Sequence, residues 1–110
     1  MGGDNNLAPV HSGAKITEIR GALAQTISVS DDALAADLAD GRTITAPLAW
    51  FPRLAHATPA ERANWHLIAG GEGIHWPDLD EDVSVASLLA GRRSGETQES
   101  LRRWLERREP

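Results

Sequence analysis

The residues able to do chemistry gather in one stretch, GGEGIHWPDLDEDVSVASLLAG from Gly70 to Gly91, where His75 is followed by Asp78, Asp80, Glu81 and Asp82. Alternate carboxylates resemble the opening of a calcium loop, because a hard cation needs several oxygens converging from a tight turn. The rest of such a loop does not follow. Val83 stands at its sixth position, where glycine makes the sharp turn, and Leu89 at its twelfth, where a bidentate Glu belongs. An imidazole beside acids could also form an acid-base pair or, with His56 and His66, a metal site; a small metal-dependent enzyme built on His75, Asp80 and Asp82 would be the result. The histidines are spaced by ten and nine residues, which matches no helical ligand pair. The sequence therefore assigns no catalytic residue, no metal and no cofactor. The acids read as a helix entry that suits the positive N-terminal end of the following helix and leaves a negative surface outside.

Other reaction classes are excluded more directly. With no cysteine there are no disulfides, no thiolate catalysis and no Cys-ligated zinc, a usage compatible with a reducing cytosol. There is no GxSxG and no phosphate-binding loop; Gly70-Gly71-Glu72-Gly73 follows an expected helix and precedes an expected strand, the reverse of a dinucleotide fingerprint. No run approaches the roughly 20 apolar residues of a membrane span, and the N-terminus lacks a basic region followed by an apolar one, so a cytoplasmic protein without membrane partners is expected.

Charge is divided unevenly within the net value of -5. Residues 1–91 carry five basic and twelve acidic side chains, whereas residues 92–110 carry six Arg and four Glu. An acidic body disfavours a polyanion, so nucleic acid could be met only by the tail, through Arg92, Arg93, Arg102, Arg103, Arg107 and Arg108. A DNA-binding regulator is the alternative function this allows. Against it, Glu99, Glu106 and Glu109 stand at helical spacing from those arginines and can neutralise them. Leu101, Trp104 and Leu105, at i, i+3 and i+4, form an apolar stripe that either docks on its own domain or offers a partner face. Together with Asp78, Asp80, Glu81 and Asp82, this stripe makes the candidate partner-binding set.

The elements that must position these groups are short. A chain of 110 residues fits one domain. A disordered arm is expected over 1–13, with His11 solvated; a single α+β domain over 14–91; and a polar hinge with a C-terminal amphipathic helix over 92–110. Ile16 and Ile19 suit an entering strand. Thr26 to Val29 alternate as a half-buried strand does, and Asp31-Asp32 make a turn. The ALAADLA run would be helical by propensity, but Asp40-Gly41 is a hairpin signal and RTITAP alternates after it, so a three-stranded meander is expected, with Leu34, Ala36 and Leu38 on one face and Ile44 across from them.

Pro47 ends that meander, and LAWFPRLAHA delivers Leu48, Trp50, Phe51 and Leu54 to its open face. Thr58-Pro59-Ala60-Glu61 is a capping box opening a helix that should run to about His66 or Leu67. Gly73 to Trp76 reads as a strand pairing with the meander, followed by an acidic turn over 78–82. Ser84 and Gly91 cap a helix over 85–90. Trp50, Phe51, Trp65 and Trp76 should dominate the core, since each aromatic brings roughly 150 to 250 Å2 of burial.

The order of these motifs resembles one known group. DGRTITAPLAWFPRLAHATPAERANW followed by GGEGIHWPDLDEDVSVASLLAG contains a DGR hairpin, PL-x-x-FPRL, A-T-x-x-ER and I-x-WP-x-LDED-x-SV-x-x-LL, and over roughly residues 20 to 91 it is similar to the small bacterial family known as domain of unknown function 2442. Val83 stands where that family often has Ile. The resemblance implies a small α+β fold, a short antiparallel sheet of about three to four strands with helices against it, and gene neighbourhood with a short family suspected of forming toxin-antitoxin pairs. It carries no catalytic residues. The expectation from residues and resemblance together is a non-enzymatic interaction module, antitoxin-like or regulatory, that binds a basic, toxin-like protein partner; homodimerisation is compatible with it.

Overall fold

The computed structural model describes residues 22–108. The expectations for the arm over 1–13, for His11 and for a strand at Ile16 and Ile19 lie outside them. The fold is α+β, with two antiparallel three-stranded sheets, short helices between them and a C-terminal helix. The first sheet is the expected meander: β1 (Ala24–Val29), β2 (Ala33–Leu38) and β3 (Thr43–Pro47). Ser30 shapes the first turn by accepting from the N–H groups of Asp32 and Ala33. At the second, Gly41 adopts φ 93°, a left-handed conformation that glycine reaches without steric cost. Register decides the contest between helix propensity and alternation in β2: Leu34, Ala36 and Leu38 all face the core, and Ile44 lies opposite Ala36.

After β3 the chain makes a 3-10 turn (Leu48–Trp50) and two short helices, α1 (Pro52–Ala55) and α2 (Pro59–Ala63). The capping box forms as read: Thr58 Oγ1 accepts from the Glu61 N–H and the Glu61 carboxylate accepts from the Thr58 N–H. The helix is shorter than expected. It stops at Ala63 because Asn64 takes φ -94° and ψ 81°, and His66–Ile68 form a strand, β4, instead of a last helical turn. Leu67 consequently lies exposed on an edge strand rather than on a helical stripe.

The second sheet, order β4-β5-β6, is completed by β5 (Gly73–Trp76) and β6 (Glu81–Ser84). This corrects two expectations. Gly73–Trp76 pairs with β4 and β6 and not with the meander, and Glu81 and Asp82 belong to a strand and not to the turn. Ser84 then caps α3 (Val85–Leu89) by accepting from the Ser87 N–H, and Gly91, at φ 71°, follows its end.

One core joins the two sheets. Trp76, Leu34, Leu48, Leu54, Ile74 and Leu79 are its largest fully buried side chains, and Phe51, Val85 and Leu88 extend it. Trp50 and Trp65, expected at its centre, only lean against it, and Trp104 of the C-terminal helix α4 (Gln98–Arg108) is buried instead. Trp76 satisfies its one polar atom by donating Nε1–H to the Arg62 carbonyl at 3.0 Å, so its whole ring system can be withdrawn from water. The sheets meet where Gly71 passes Ala24: a Cβ on Gly71 would lie 2.7 Å from the Ala24 carbonyl oxygen.

Candidate recognition site

The β5–β6 hairpin holds the candidate residues, and strand alternation sorts them onto two faces. Register places His66 beside His75 and His75 beside Asp82, so these three share the outer face. His75 Nδ1 contacts Asp82 Oδ1 there. Among the described residues no three His, Asp or Glu side chains converge in a way that could hold a metal ion, so His75, Asp80 and Asp82 do not form a ligand set.

The turn between the strands presents its acids outward. Asp78, Asp80 and Asp82 are exposed, while Leu79 between them is fully buried and anchors the turn from inside. Asp80 adopts φ 52°, an uncommon conformation that Asp tolerates better than most residues. The backbone is held from behind, since Arg53 Nη1 donates to the carbonyls of Leu79 and Asp80 at 3.0 and 3.2 Å. Asn64 steadies the Asp78 carboxylate at 3.0 Å. The turn backbone is thus held from two sides, with Asp78, Asp80 and Asp82 exposed on it.

Glu81 is corrected out of that display. It lies across from Trp76 on the inner face and is only partly exposed. Burial pushes its carboxyl up to about 7; the Arg53 charge opposes the shift, while the Glu96 and Asp82 charges add to it. Glu96 moves the other way. Burial penalises its charge, yet the hydrogen bonds from Arg53 and Ser100 and the Arg53 and Arg107 charges outweigh that penalty and hold it below the ordinary Glu value.

The tail is bolted to the body at both ends. Arg53 pairs with Glu96 at the start, and Arg108 pairs with Glu61 at the end, at 2.7 and 3.1 Å. The Trp104 ring has the Arg53 guanidinium 5.2 Å and the Arg108 guanidinium 4.5 Å from its centroid. Trp104 is 5% exposed, and Leu101 and Leu105 pack against the same core. The stripe therefore docks on its own domain, and with the helix docked Trp104 is not an available partner surface. Residues 92–96, read as a hinge, are tied down through Ser94 N–H to the Trp50 carbonyl and through Glu96.

Of the tail arginines, Arg102 and Arg103 form ion pairs with Glu99, and Arg102 also with Glu106, as the helical spacing anticipates. Arg93 lies over the Trp50 ring. Arg92 and Arg107 are exposed.

An open groove of about 520 Å3 lies elsewhere, between β1 and α2, with Ile27, Val29 and Trp65 among its walls. Its charged groups, Arg62 and Asp31, bond each other at 2.8 Å, and Arg62 is otherwise spent on the Leu54 and Ala55 carbonyls. Arg53, Arg62 and Glu96 are the residues that sequence reasoning passed over. Neither arginine stands in a charge cluster, and their acidic partners lie 31 and 43 residues away, beyond any local pattern.

The model of the family described as "Protein of unknown function (DUF2442)" matches residues 24–94. A protein of unknown function from Rhodospirillum rubrum ATCC 11170, known from a crystal structure, superposes with a TM-score of 0.58 at 26% identity, over 72% of this chain and 95% of that one. An uncharacterized protein from Chromobacterium violaceum, known from a solution NMR structure, superposes with a TM-score of 0.61 at 22% identity, over 86% of this chain and 89% of that one, a likeness of fold alone. No curated protein matches the chain.

Proposed function

We propose, for a chain that belongs to the family described as Protein of unknown function (DUF2442), a non-enzymatic role in recognising a protein partner with a basic surface. The observation that supports this reading is the turn at residues 77–80 with Asp82 beside it. Three carboxylates point outward from a backbone fixed by Leu79 within and by Arg53 behind, so little ordering entropy is lost when a cationic surface meets them. An antitoxin-like or regulatory member of a bacterial pair, working in the cytoplasm, is the role this chemistry fits. No helix among the described residues is long and apolar enough to cross a membrane. The nucleic-acid alternative has less support, since Arg102, Arg103 and Arg108 are engaged by glutamates of their own chain.

The test is co-purification from the native host with the wild-type chain and with Asp78→Asn/Asp80→Asn/Asp82→Asn. A basic protein retained by the first, released by salt and absent from the second is the expected result. Recovery of the same protein by both, or of none by either, overturns the reading.

A further inference from the structure

The second sheet ends on an open strand edge beside the acidic turn. In the order β4-β5-β6, β4 pairs with β5 on one side only, and among the described residues His66, Leu67 and Ile68 make no backbone hydrogen bond outside that ladder. Residues 66–70 are exposed without a break, and Leu67 and Ile68 keep 36% and 40% of their surface in water. Ile68 lies across the bare backbone of Gly73, where a Cβ would come within 3.0 Å of its Cγ1. The edge carries no Pro, Lys or acid, the devices that commonly keep an open strand from pairing. It also begins at the carboxylates. Asn64, two residues before β4, donates from Nδ2 to Asp78 Oδ2 at 3.0 Å, and register carries His66 across His75 to Asp82.

We propose that β4 is the docking edge for an extended segment of the basic partner, which adds a fourth strand to the second sheet, sets apolar residues against Leu67 and Ile68, and brings Lys or Arg past His66 to Asp78. The inference rests on the recognition of a basic partner argued above and adds the form that the partner takes. Backbone hydrogen bonds to an open edge supply affinity in strand addition, while side chains supply selection. Three residues of edge select little by themselves, so the carboxylates at its start decide which strands are accepted. Antiparallel pairing, the commoner arrangement, places the partner's apolar residues before its basic ones in sequence. A second copy of this chain fits the edge less well. Pairing β4 with β4 about a twofold axis at Leu67 sets Asn64, and Asp78 with it, opposite Gly70, and the nearest charge there is Glu72, so no cation reaches Asp78.

The experiment uses the full chain and a synthetic probe, acetyl-Ser-Thr-Val-Val-Thr-Lys-Lys-Lys-amide, with two derivatives: one N-methylated at both Val residues, which removes the donor on either edge, and one with Glu in place of Lys. Fluorescence anisotropy reads affinity, and amide exchange reads the β4 N–H groups that point away from β5. The probe should bind and slow exchange of those amides by about tenfold at saturation. N-methylation and the Glu replacement should each weaken binding by about tenfold or more, and Asp78→Asn/Asp80→Asn in the protein by about fivefold. Binding of the probe and its N-methylated form alike, with the β4 amides unchanged, overturns the docking edge and leaves the acidic turn as a recognition surface. Slowed β4 exchange with an affinity that Asp78→Asn/Asp80→Asn does not change overturns the basic-partner reading and the selection argued from it. Absence of binding overturns the inference, as does protection of the outward β4 amides in the free chain, which would show the edge already covered by a second copy or by residues 1–21.

Discussion

Arg53 and Glu96 face each other through two hydrogen bonds, Nε to Oε1 at 2.5 Å and Nη2 to Oε2 at 3.2 Å, with 43 residues of chain between them. Their side chains are 13% and 7% exposed, so neither can be rehydrated when the other is removed. Arg53→Ala and Glu96→Ala should each cost about 3 to 5 kcal/mol of stability. The double variant Arg53→Met/Glu96→Leu should cost clearly less than the sum, because it buries no unpaired charge. Urea unfolding of the four proteins checks this; additive losses would mean that the pair does not act as a unit.

Trp76 joins core and backbone in a single side chain. Trp76→Phe keeps much of the buried area but leaves the Arg62 carbonyl without its indole donor, a loss of about 1 to 3 kcal/mol. Trp76→Ala adds a cavity beneath both sheets and should cost about 3 to 5 kcal/mol. Trp65→Ala, at a residue only partly buried, should cost less than Trp76→Ala. Thermal melts give the order directly, and a Trp65 effect as large as that of Trp76 would contradict it.

How far the sequence was legible follows from the range of each interaction. The Asp40-Gly41 turn, the Thr58–Glu61 capping box and the Ser84–Gly91 helix are local, and each formed where its residues stand. His66–Ile68 was missed because a three-residue strand has too short a pattern to read, and what makes it a strand is β5, which it meets across an intervening turn. Glu81–Ser84 did carry a signal, since Glu81 and Val83 alternate with Asp82 and Ser84, but the run of acids obscured it. The site divides in the same way: the acidity of the turn is a property of its composition, whereas the inward direction of Glu81 depends on its pairing with Trp76, and the hold of Arg53 on the turn and on Glu96 depends on three separated segments.

Gly71 and Gly91 both lie at positive φ, 103° and 71°, yet they should respond differently to alanine. Around Gly91 there is open space, so Gly91→Ala should cost only conformational strain, about 1 kcal/mol. At Gly71 the new methyl would meet the Ala24 carbonyl at 2.7 Å, a backbone atom that cannot move aside without disturbing β1. Gly71→Ala should therefore be the more damaging by a margin of at least about 1 to 2 kcal/mol. Similar melting temperatures for the two variants would show that the sheets do not pack this closely at Ala24.

Glu61 serves two structures, the Thr58 cap and the Arg108 end of the tail. Thr58→Ala removes only the cap and should cost about 1 kcal/mol. Glu61→Ala removes both and should cost more, with added exchange at the end of α4. If Arg108→Ala is already present, Glu61→Ala should cost little beyond the cap itself, which a double-mutant cycle in urea measures.

The pH dependence of stability combines carboxyls shifted in opposite directions. Glu61 is held below the ordinary value of 4.5 chiefly by the hydrogen bond from Arg108, and Glu96 by its bonds from Arg53 and Ser100 against the penalty of burial. For both, the stabilisation is complete above 4.5 and lost as pH falls through their lower folded values, because the unfolded chain then binds the proton first. Glu81 has the opposite sign: its folded value is raised to about 7, so its contribution is complete below 4.5 and lost as pH rises from 4.5 to about 7. Over that upper window the slope should approach, and not exceed, about 1.4 kcal/mol per pH unit from this one group. Urea midpoints of the wild-type chain should therefore fall from about pH 5 to about pH 7, against the usual rise expected when depressed carboxylates dominate. Glu81→Gln should flatten that fall without altering the loss below 4.5, whereas Glu61→Gln should weaken the acid loss and keep the upper slope. A wild-type profile that rises through the upper window, or one that Glu81→Gln leaves unchanged, would show that this carboxyl is not held neutral by its burial beside Arg53 and Glu96.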